Sequence, residues 1–401
     1  MQQLKKIMAI VLIFIFLSSQ VSFCIDSYVW DDSTLATSGE EATGNFLNIE
    51  SGSAILIEQN SGKVLYEYNS HEQLRPASVT KIMSILLIME ALDSGKISLT
   101  DAVSCSENAR NMGGSQIWLN ETEKLTVDEM LKAICVVSAN DCVVAMAEFI
   151  AGSEEIFVQQ MNDKAKQLGM NDTHFVNCHG IDEDGHVTSS HDIALMSREL
   201  LTKHPSITNY TTIWMDSLRD GKSELTNTNK LVRTYEGCTG LKTGSTSLAL
   251  YNLSASATRN DLSLIAVVMK GPTSEKRFSE AKKLLDYGFA NYSYNKTSSA
   301  GDFLQTVEVQ KGTTKNVNLV YESDSGALIK NSENGNITSE VTLHENITAP
   351  IAIGDVLGNV SFYLNDEQIA SVNLVAENNI EKISVMNLFA IITEYWVNLF
   401  R

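Results

Sequence analysis

Positive charge is scarce in this sequence of 401 residues: 30 lysines and arginines stand against 49 aspartates and glutamates, a net charge of −19. A polyanion would be repelled, which excludes nucleic acid as a partner. Long apolar runs are scarce as well. The first, Ile7 to Leu17, follows Lys5 and Lys6 and precedes Ser18, Ser19 and Ser22. It is too short to span a bilayer and has the layout of a secretory signal peptide, residues 1–24. Phe23 stands before Cys24 where lipid attachment needs a small residue. Removing residues 1–24 takes away two lysines and no acid, leaving 28 basic against 49 acidic residues, or −21.

A cysteine framework is missing too. Cys105, Cys135, Cys142, Cys178 and Cys238 remain, an odd number without the short regular spacing of a disulfide scaffold or a zinc site. They read as small buried hydrophobes. Cys135 and Cys142, seven apart on a helix, would sit two turns from each other, too far for a bond. No internal repeat of fixed period occurs.

What is present suits a folded chain of two or three domains, with 43% hydrophobic and 20% charged residues. Residues 25–45 are polar and read as a leader. Ala54–Ile57 and Val64–Tyr68 flank Asn60-Ser61-Gly62, a hairpin pattern. From Pro76 to Ser94 the spacing of Ile82, Met83, Ile85, Leu86, Ile88, Met89 and Leu92 predicts a buried helix. Helical patterns dominate residues 105–205, including Val127–Val137, Asp141–Ile150 and Ile156–Leu168. Strand character returns at Leu250–Ala257 and Leu262–Met269, and a helix over Glu275–Phe289 closes the region. The order predicts an α+β domain over 46–296 with a helical insertion.

Beyond Tyr294, alternating runs at Thr306–Val309, Val317–Tyr321, Val341–Leu343, Val360–Leu364 and Ala370–Val375 predict a small all-β sandwich domain, 300–378. Residues 379–401 are assigned to a terminal amphipathic helix. Asn387, Glu394, Asn398 and Arg401 share one face of it. The ~17 residues from Val385 reach only ~25 Å at ~1.5 Å each, short of a ~30 Å hydrocarbon core, so the helix is expected to lie in a membrane interface. Packing on its own domain is the alternative.

Three short signals carry chemistry: Ser78-Val79-Thr80-Lys81, Ser138-Ala139-Asn140 and Lys242-Thr243-Gly244. Singly they are weak, since Ser-x-Asn recurs at Ser106, Ser293 and Ser332. Each also has a bland reading: a capping serine with a surface lysine, a capped loop, a β-turn. Together they cohere. A three-residue step at a helix start puts the Ser78 hydroxyl and the Lys81 amine on one face, and a buried lysine near other cations loses basicity and can act as a general base. Ser138 and Asn140 interrupt an apolar stretch, so they need partners. Lys242 and Thr243 set a cation beside a hydroxyl, which suits a carboxylate, and glycines around them allow close approach.

The sequence resembles the low-molecular-mass penicillin-binding proteins of the D-alanyl-D-alanine carboxypeptidase type, which carry Ser-x-x-Lys, Ser-x-Asn and Lys-Thr-Gly in this order. The likeness extends through Pro76–Met83, Val137–Asp141, Met161-Asn162, Leu168–Met170, Thr173–Asn177, His186–Asp192, Gly240–Thr246, Arg277-Phe278 and Leu284–Phe289. It is firm over residues 50–295 and looser beyond. It implies a transpeptidase-like fold, an antiparallel sheet flanked by helices with a helical subdomain. It implies an enzyme exported to the outer face of the cytoplasmic membrane or the wall, acting on peptidoglycan stem peptides, inhibited by β-lactams and needing no metal or cofactor.

By the resemblance Ser78 is the nucleophile, Lys81 its base, and Ser138 with Lys242 a proton path to the leaving D-alanine. Asn140 holds the substrate amide, Gly244 and Ser245 line the substrate strand, the N–H groups of Ser78 and Ser245 form the oxyanion hole, and Thr243 and Arg277 bind the terminal carboxylate. The sequence departs from the family pattern at Asn120-Glu121, at Cys178 where proline is common, and at Leu248-Ala249-Leu250.

Other readings compete. His174, His179, His186 and His191 with Asp182, Asp184 or Asp192 suggest a metal hydrolase, but no His-Glu-x-x-His helix is present. A β-lactamase would need a Glu-x-x-Leu-Asn element between the second and third motifs, and none is found. A non-catalytic wall-binding protein would not need Ser78, Lys81, Ser138 and Lys242 intact.

Overall fold

The computed structural model describes residues 44–333 and 335–384, with Phe389, Thr393 and Trp396. The signal peptide expected at 1–24, nearly all of the 25–45 leader and, apart from the helical Phe389, Thr393 and Trp396, the helix expected from 385 onward lie outside the described residues. Among the described residues no helix is long and apolar enough to cross a membrane.

Strand β1 (Ser53–Glu58) is buried at every position. It pairs antiparallel with β2 (Val64–Tyr68) and joins a five-stranded sheet with β3 (Cys238–Thr246), β4 (Leu250–Arg259) and β5 (Leu262–Gly271), in the order β2-β1-β5-β4-β3. Alternation along β1 separates two cores: Ile55 and Ile57 face the helical lobe, whereas Ala54 and Leu56 face the other side. A strand covered on both faces carries apolar residues at consecutive positions. That is why Ala54–Ile57 reads as an unbroken apolar run.

The lobe on the first face contains α1 (Lys81–Asp93), α2 (Val127–Val137), α3 (Asn140–Ala151), α4 (Glu154–Gln167) and α5 (Ser190–Lys203). Helix α1 is buried from Lys81 to Met89, the mark of a central core helix. Helix α2 starts with a capping box, Thr126 and Glu129 satisfying each other's backbone N–H groups. The other face of the sheet is covered by α6 (Ser274–Asn291), through Ala281, Leu284 and Leu285.

Beyond α6, β6 (Tyr292–Ser298) forms a ribbon with β9 (Ser325–Lys330). The strands β7 (Phe303–Glu308), β8 (Asn316–Tyr321), β10 (Ile337–Leu343), β11 (Val356–Leu364) and β12 (Glu367–Ala376) form a second antiparallel sheet, ordered β7-β8-β12-β11-β10. The fold is thus α+β followed by an all-β domain. Residues 379–384, assigned from sequence to the terminal helix, are extended, with Ile380 bridging Ile351 and Lys382 bridging Gly312.

One expectation is corrected. Cys135 and Cys142 do not share a helix, because α2 ends at Ser138 in the left-handed region (φ 65°) and α3 begins at Asn140. All five cysteines among the described residues are free, four of them buried and Cys238 half-buried.

Candidate active site

The first motif opens α1. Ala77–Thr80 forms a single 3₁₀ turn capped at Pro76, and α1 continues it from Lys81. Ser78 therefore sits in a first turn, where backbone N–H groups lack a partner within the helix. Ala77 before it holds φ 50°, an unusual value for a residue with a side chain.

Lys81 is fully buried, and its Nζ lies 3.0 Å from Ser78 Oγ. The same nitrogen is 2.6 Å from Asn140 Oδ1 and 2.6 Å from the carbonyl oxygen of His179. Burial, and then the charge of Lys242, push its pKa well below the ordinary lysine value. An uncharged amine has two N–H groups and one lone pair. Asn140 and His179 accept the two N–H groups, and the lone pair is left for the Ser78 hydroxyl.

Asn140 is fixed at its other atoms as well. Its Nδ2 donates to Gly113 O at 2.6 Å and its backbone N–H donates to Ser115 O at 2.7 Å. Ser138, at the α2–α3 joint, is buried with no hydrogen-bond partner for its hydroxyl. A buried hydroxyl without a partner costs stability, so the fold keeps it at a price that a bound reactant can offset.

The third motif lies on β3. Lys242 is buried, donates to Thr243 O at 3.0 Å, and has its pKa lowered to about 7 by burial, with Cys135 opposing and Arg277 adding to the shift. Thr243 Oγ1 donates to Thr228 Oγ1 at 2.7 Å. A Cβ on Gly244 would lie 2.8 Å from Pro76 O and 2.9 Å from Ser78 N, so only glycine lets β3 press against the serine turn. Ser245, next on the strand, is exposed. Arg277 reaches the strand from α6, its Nη1 donating to Gly244 O at 3.1 Å, with its Nε buried and unpartnered.

Ser78, Lys81 and Asn140 are thus joined directly, Lys242 bears on Lys81 through its charge, Gly244 lets β3 press against the serine turn, and Arg277 ties α6 to β3. The histidines of the competing metal reading hold loops instead. His186 Nδ1 accepts from Val176 N at 2.9 Å, so its Nε2–H donates to Thr80 Oγ1 at 2.8 Å; burial lowers its pKa to about 4. His179 Nδ1 accepts from Ile181 N, and burial brings its pKa to about 3. His174 is exposed and His191 adjoins Asp192. Among the described residues no group of three or more His, Cys, Asp or Glu is arranged to hold a metal.

Several supporting groups escaped the sequence reading: the carbonyls of Gly113, Ser115 and His179, the Thr228 hydroxyl, and Gly180 behind the serine turn. Backbone carbonyls leave no residue-type signal. The Asp141 carboxylate, inside a motif but without an assigned role, accepts from the backbone N–H groups of Ile117, Leu119 and Cys142.

A serine and a buried lysine of lowered basicity one turn apart, beside a second buried lysine on a sheet edge, define the penicillin-binding class of serine hydrolases. The chain matches the D-alanyl-D-alanine carboxypeptidase family over residues 38–273 and the C-terminal domain of penicillin-binding protein 5 over residues 292–382. It is 45% identical to D-alanyl-D-alanine carboxypeptidase DacF of Bacillus subtilis, over 83% of this chain and 86% of that one. It is 33% identical to DacC of Escherichia coli, over 85% and 87%. Among solved structures, penicillin-binding protein 5 of Haemophilus influenzae superposes with a TM-score of 0.69 at 34% identity, covering 83% of this chain and 98% of that one. Penicillin-binding protein D2 of Listeria monocytogenes, in an ampicillin-bound form, gives 0.56 at 30% identity, covering 61% and 99%. The chain belongs to the D-alanyl-D-alanine carboxypeptidase family of serine-type peptidases.

Proposed function

We propose that the chain removes the terminal D-alanine from peptidoglycan pentapeptide stems through an ester on Ser78. The observation that carries this reading is the buried Lys81 amine, held by Asn140 Oδ1 and the His179 carbonyl with its Nζ 3.0 Å from Ser78 Oγ, where an uncharged amine would accept the hydroxyl proton. Lys81 takes the hydroxyl proton as Ser78 Oγ bonds to the carbonyl carbon between the two D-alanines. Charge gathering on the carbonyl oxygen is met by the backbone N–H groups of Ser78 and Ser245. The C–N bond breaks, and the proton passes by Ser138 and Lys242 to the departing amine.

Asn140 holds the substrate amide, β3 at Gly244 and Ser245 lies along the stem, and Lys242, Thr243 and Arg277 grip the terminal carboxylate. Water then adds to the ester, its oxygen bonding to the acyl carbon while a proton returns to Ser78 Oγ. A β-lactam would complete the first half and remain attached. The layout of residues 1–24 supports export, and the apolar segment from Val385 supports residence on the outer face of the cytoplasmic membrane, with 46–296 as the peptidase unit and 300–378 as a β-rich support.

Incubation with benzylpenicillin followed by peptide mass spectrometry is expected to find the adduct on Ser78, and purified protein to release D-alanine from a stem pentapeptide. An adduct on another residue, or neither adduct nor D-alanine, overturns the reading. The pH dependence has a definite sign. Protonating Lys81 removes its lone pair, so kcat/KM falls toward acid. Lys242 loses its proton at about 7, so the carboxylate grip weakens toward alkali and the profile is bell-shaped. Lys242→Arg, charged to beyond about pH 12, is expected to move the alkaline limb upward even if the maximum drops.

A further inference from the structure

Trp118 is 75% exposed, while Ile117 and Leu119 on either side are 5% and 4% exposed. Its backbone stands at φ 55°, which costs energy in a bulky residue and persists only where neighbours impose it. The imposing groups are identifiable. Asp141 accepts from Ile117 N at 3.1 Å and from Leu119 N at 3.0 Å, and Arg219 Nη1 donates to Ile117 O at 3.0 Å. Arg219 is itself held by a two-point pairing with Glu123 at 2.6 and 2.8 Å.

An indole clamped in the open by the residue that follows Asn140 contributes nothing to the core. It borders a groove of about 610 Å³ that is also lined by Val137, Arg219, Lys222 and Glu224. Val137 immediately precedes Ser138. Ser115, whose carbonyl accepts the Asn140 N–H, stands three residues before Trp118, at most ~10 Å of extended chain.

We propose that this groove is a subsite for the part of the peptidoglycan stem on the amino side of the cleaved bond. The inference rests on the function proposed above. That function puts the stem's carboxyl end at Lys242, Thr243 and Arg277, so the upstream chain leaves past Asn140 and Ser115. At ~3.3 Å per residue, ~10 Å is about three residues of peptide, which brings the middle of the stem to Trp118. An aliphatic face of the stem covers the indole, and Lys222 meets a stem carboxylate. Of the two cations lining the groove, Arg219 is paired with Glu123, which favours Lys222 as the anchor. The groove is therefore a determinant of specificity for long stems and stands apart from the bond-breaking machinery.

The test compares kcat/KM on a full stem pentapeptide with kcat/KM on an N-acetylated tripeptide ending in D-alanyl-D-alanine, using the whole chain. The long-to-short ratio is expected to fall about tenfold in Trp118→Ala and severalfold in Lys222→Glu, and to be largely retained in Trp118→Phe, because remote contacts contribute to the transition state of the long substrate alone. An unaltered ratio in Trp118→Ala overturns the subsite, whether both rates hold or both decline together. Penicillin labelling of Ser78 in the wild-type chain is measured alongside. Its absence would strike at the reaction itself and not at the subsite.

Discussion

Replacing Lys81 with methionine is expected to slow acylation of Ser78 by benzylpenicillin by about 10²- to 10⁴-fold, the usual worth of a positioned general base. The volume is nearly kept, but the lone pair 3.0 Å from the serine oxygen is gone. Stability responds to two opposed effects. Asn140 Oδ1 and His179 O lose their donor, which costs about 1–3 kcal/mol for each oxygen left unpaired. Against that, a buried amine no longer has to be kept out of water. The melting temperature is therefore expected to move far less than the rate. Fluorescent-penicillin labelling over time, alongside thermal unfolding, checks both. A variant acylating within tenfold of wild type would remove Lys81 from the role of base.

Gly180→Ala is expected to be the most damaging of the conservative changes. The residue stands at φ 88°, and an added Cβ would lie 1.9 Å from Ala77 O and 2.9 Å from Thr80 Oγ1. Neither neighbour can yield freely. Ala77 is already in the left-handed region, and Thr80 is held by His186, which is tied in turn to Val176 N. The strand of loop carrying His179 O must back away from Lys81, so stability and acylation fall together. A loss of about 3 kcal/mol corresponds to a drop of about 6–12 °C in a domain of this size. Gly152→Ala is the control, with φ 87° but nothing within 4 Å of the added carbon. It carries the backbone strain alone, about 1 kcal/mol. Equal melting temperatures for the two variants would show that contact with the serine turn is unimportant.

Much of the framework was legible because its buried elements carry their apolar residues in unbroken runs or at helical spacing. The 54–57 and 64–68 hairpin, the helix after Pro76 and the pair of strands after Leu250 all carry their apolar residues at the spacing their elements require. Strand β3 was not read, although it bears the third motif. Its residues Thr239, Gly240, Thr243 and Gly244 present little apolar alternation. Gly240 faces Thr211 and Gly244 faces the Ser78 turn at distances that leave no room for a side chain, so close backbone approach replaces the packing that usually announces a strand. The ribbon strands β6 and β9 were also missed, because a short two-stranded ribbon needs little apolar surface.

The site was legible in its residue types and order, while its supports were not. Ser78, Lys81 and Asn140 meet as their spacing and the family resemblance led one to expect. The groups that hold them are main-chain carbonyls of distant loops, and these can belong to any residue. The break between α2 and α3 shows the same limit. Both helices were anticipated, yet the left-handed step at Ser138 between them has no glycine to signal it.

That step puts the Ser138 hydroxyl at a corner, where two rods meet, and not along the length of one. A pivot of either rod swings the corner. The rods rest on a bed of thioethers, with Met130, Met146, Met161 and Met196 all fully enclosed, and such side chains fill irregular gaps without fixing a unique arrangement. The position of the Ser138 hydroxyl therefore depends on how the two helices pack, and changes deep in the helical lobe are expected to shift it.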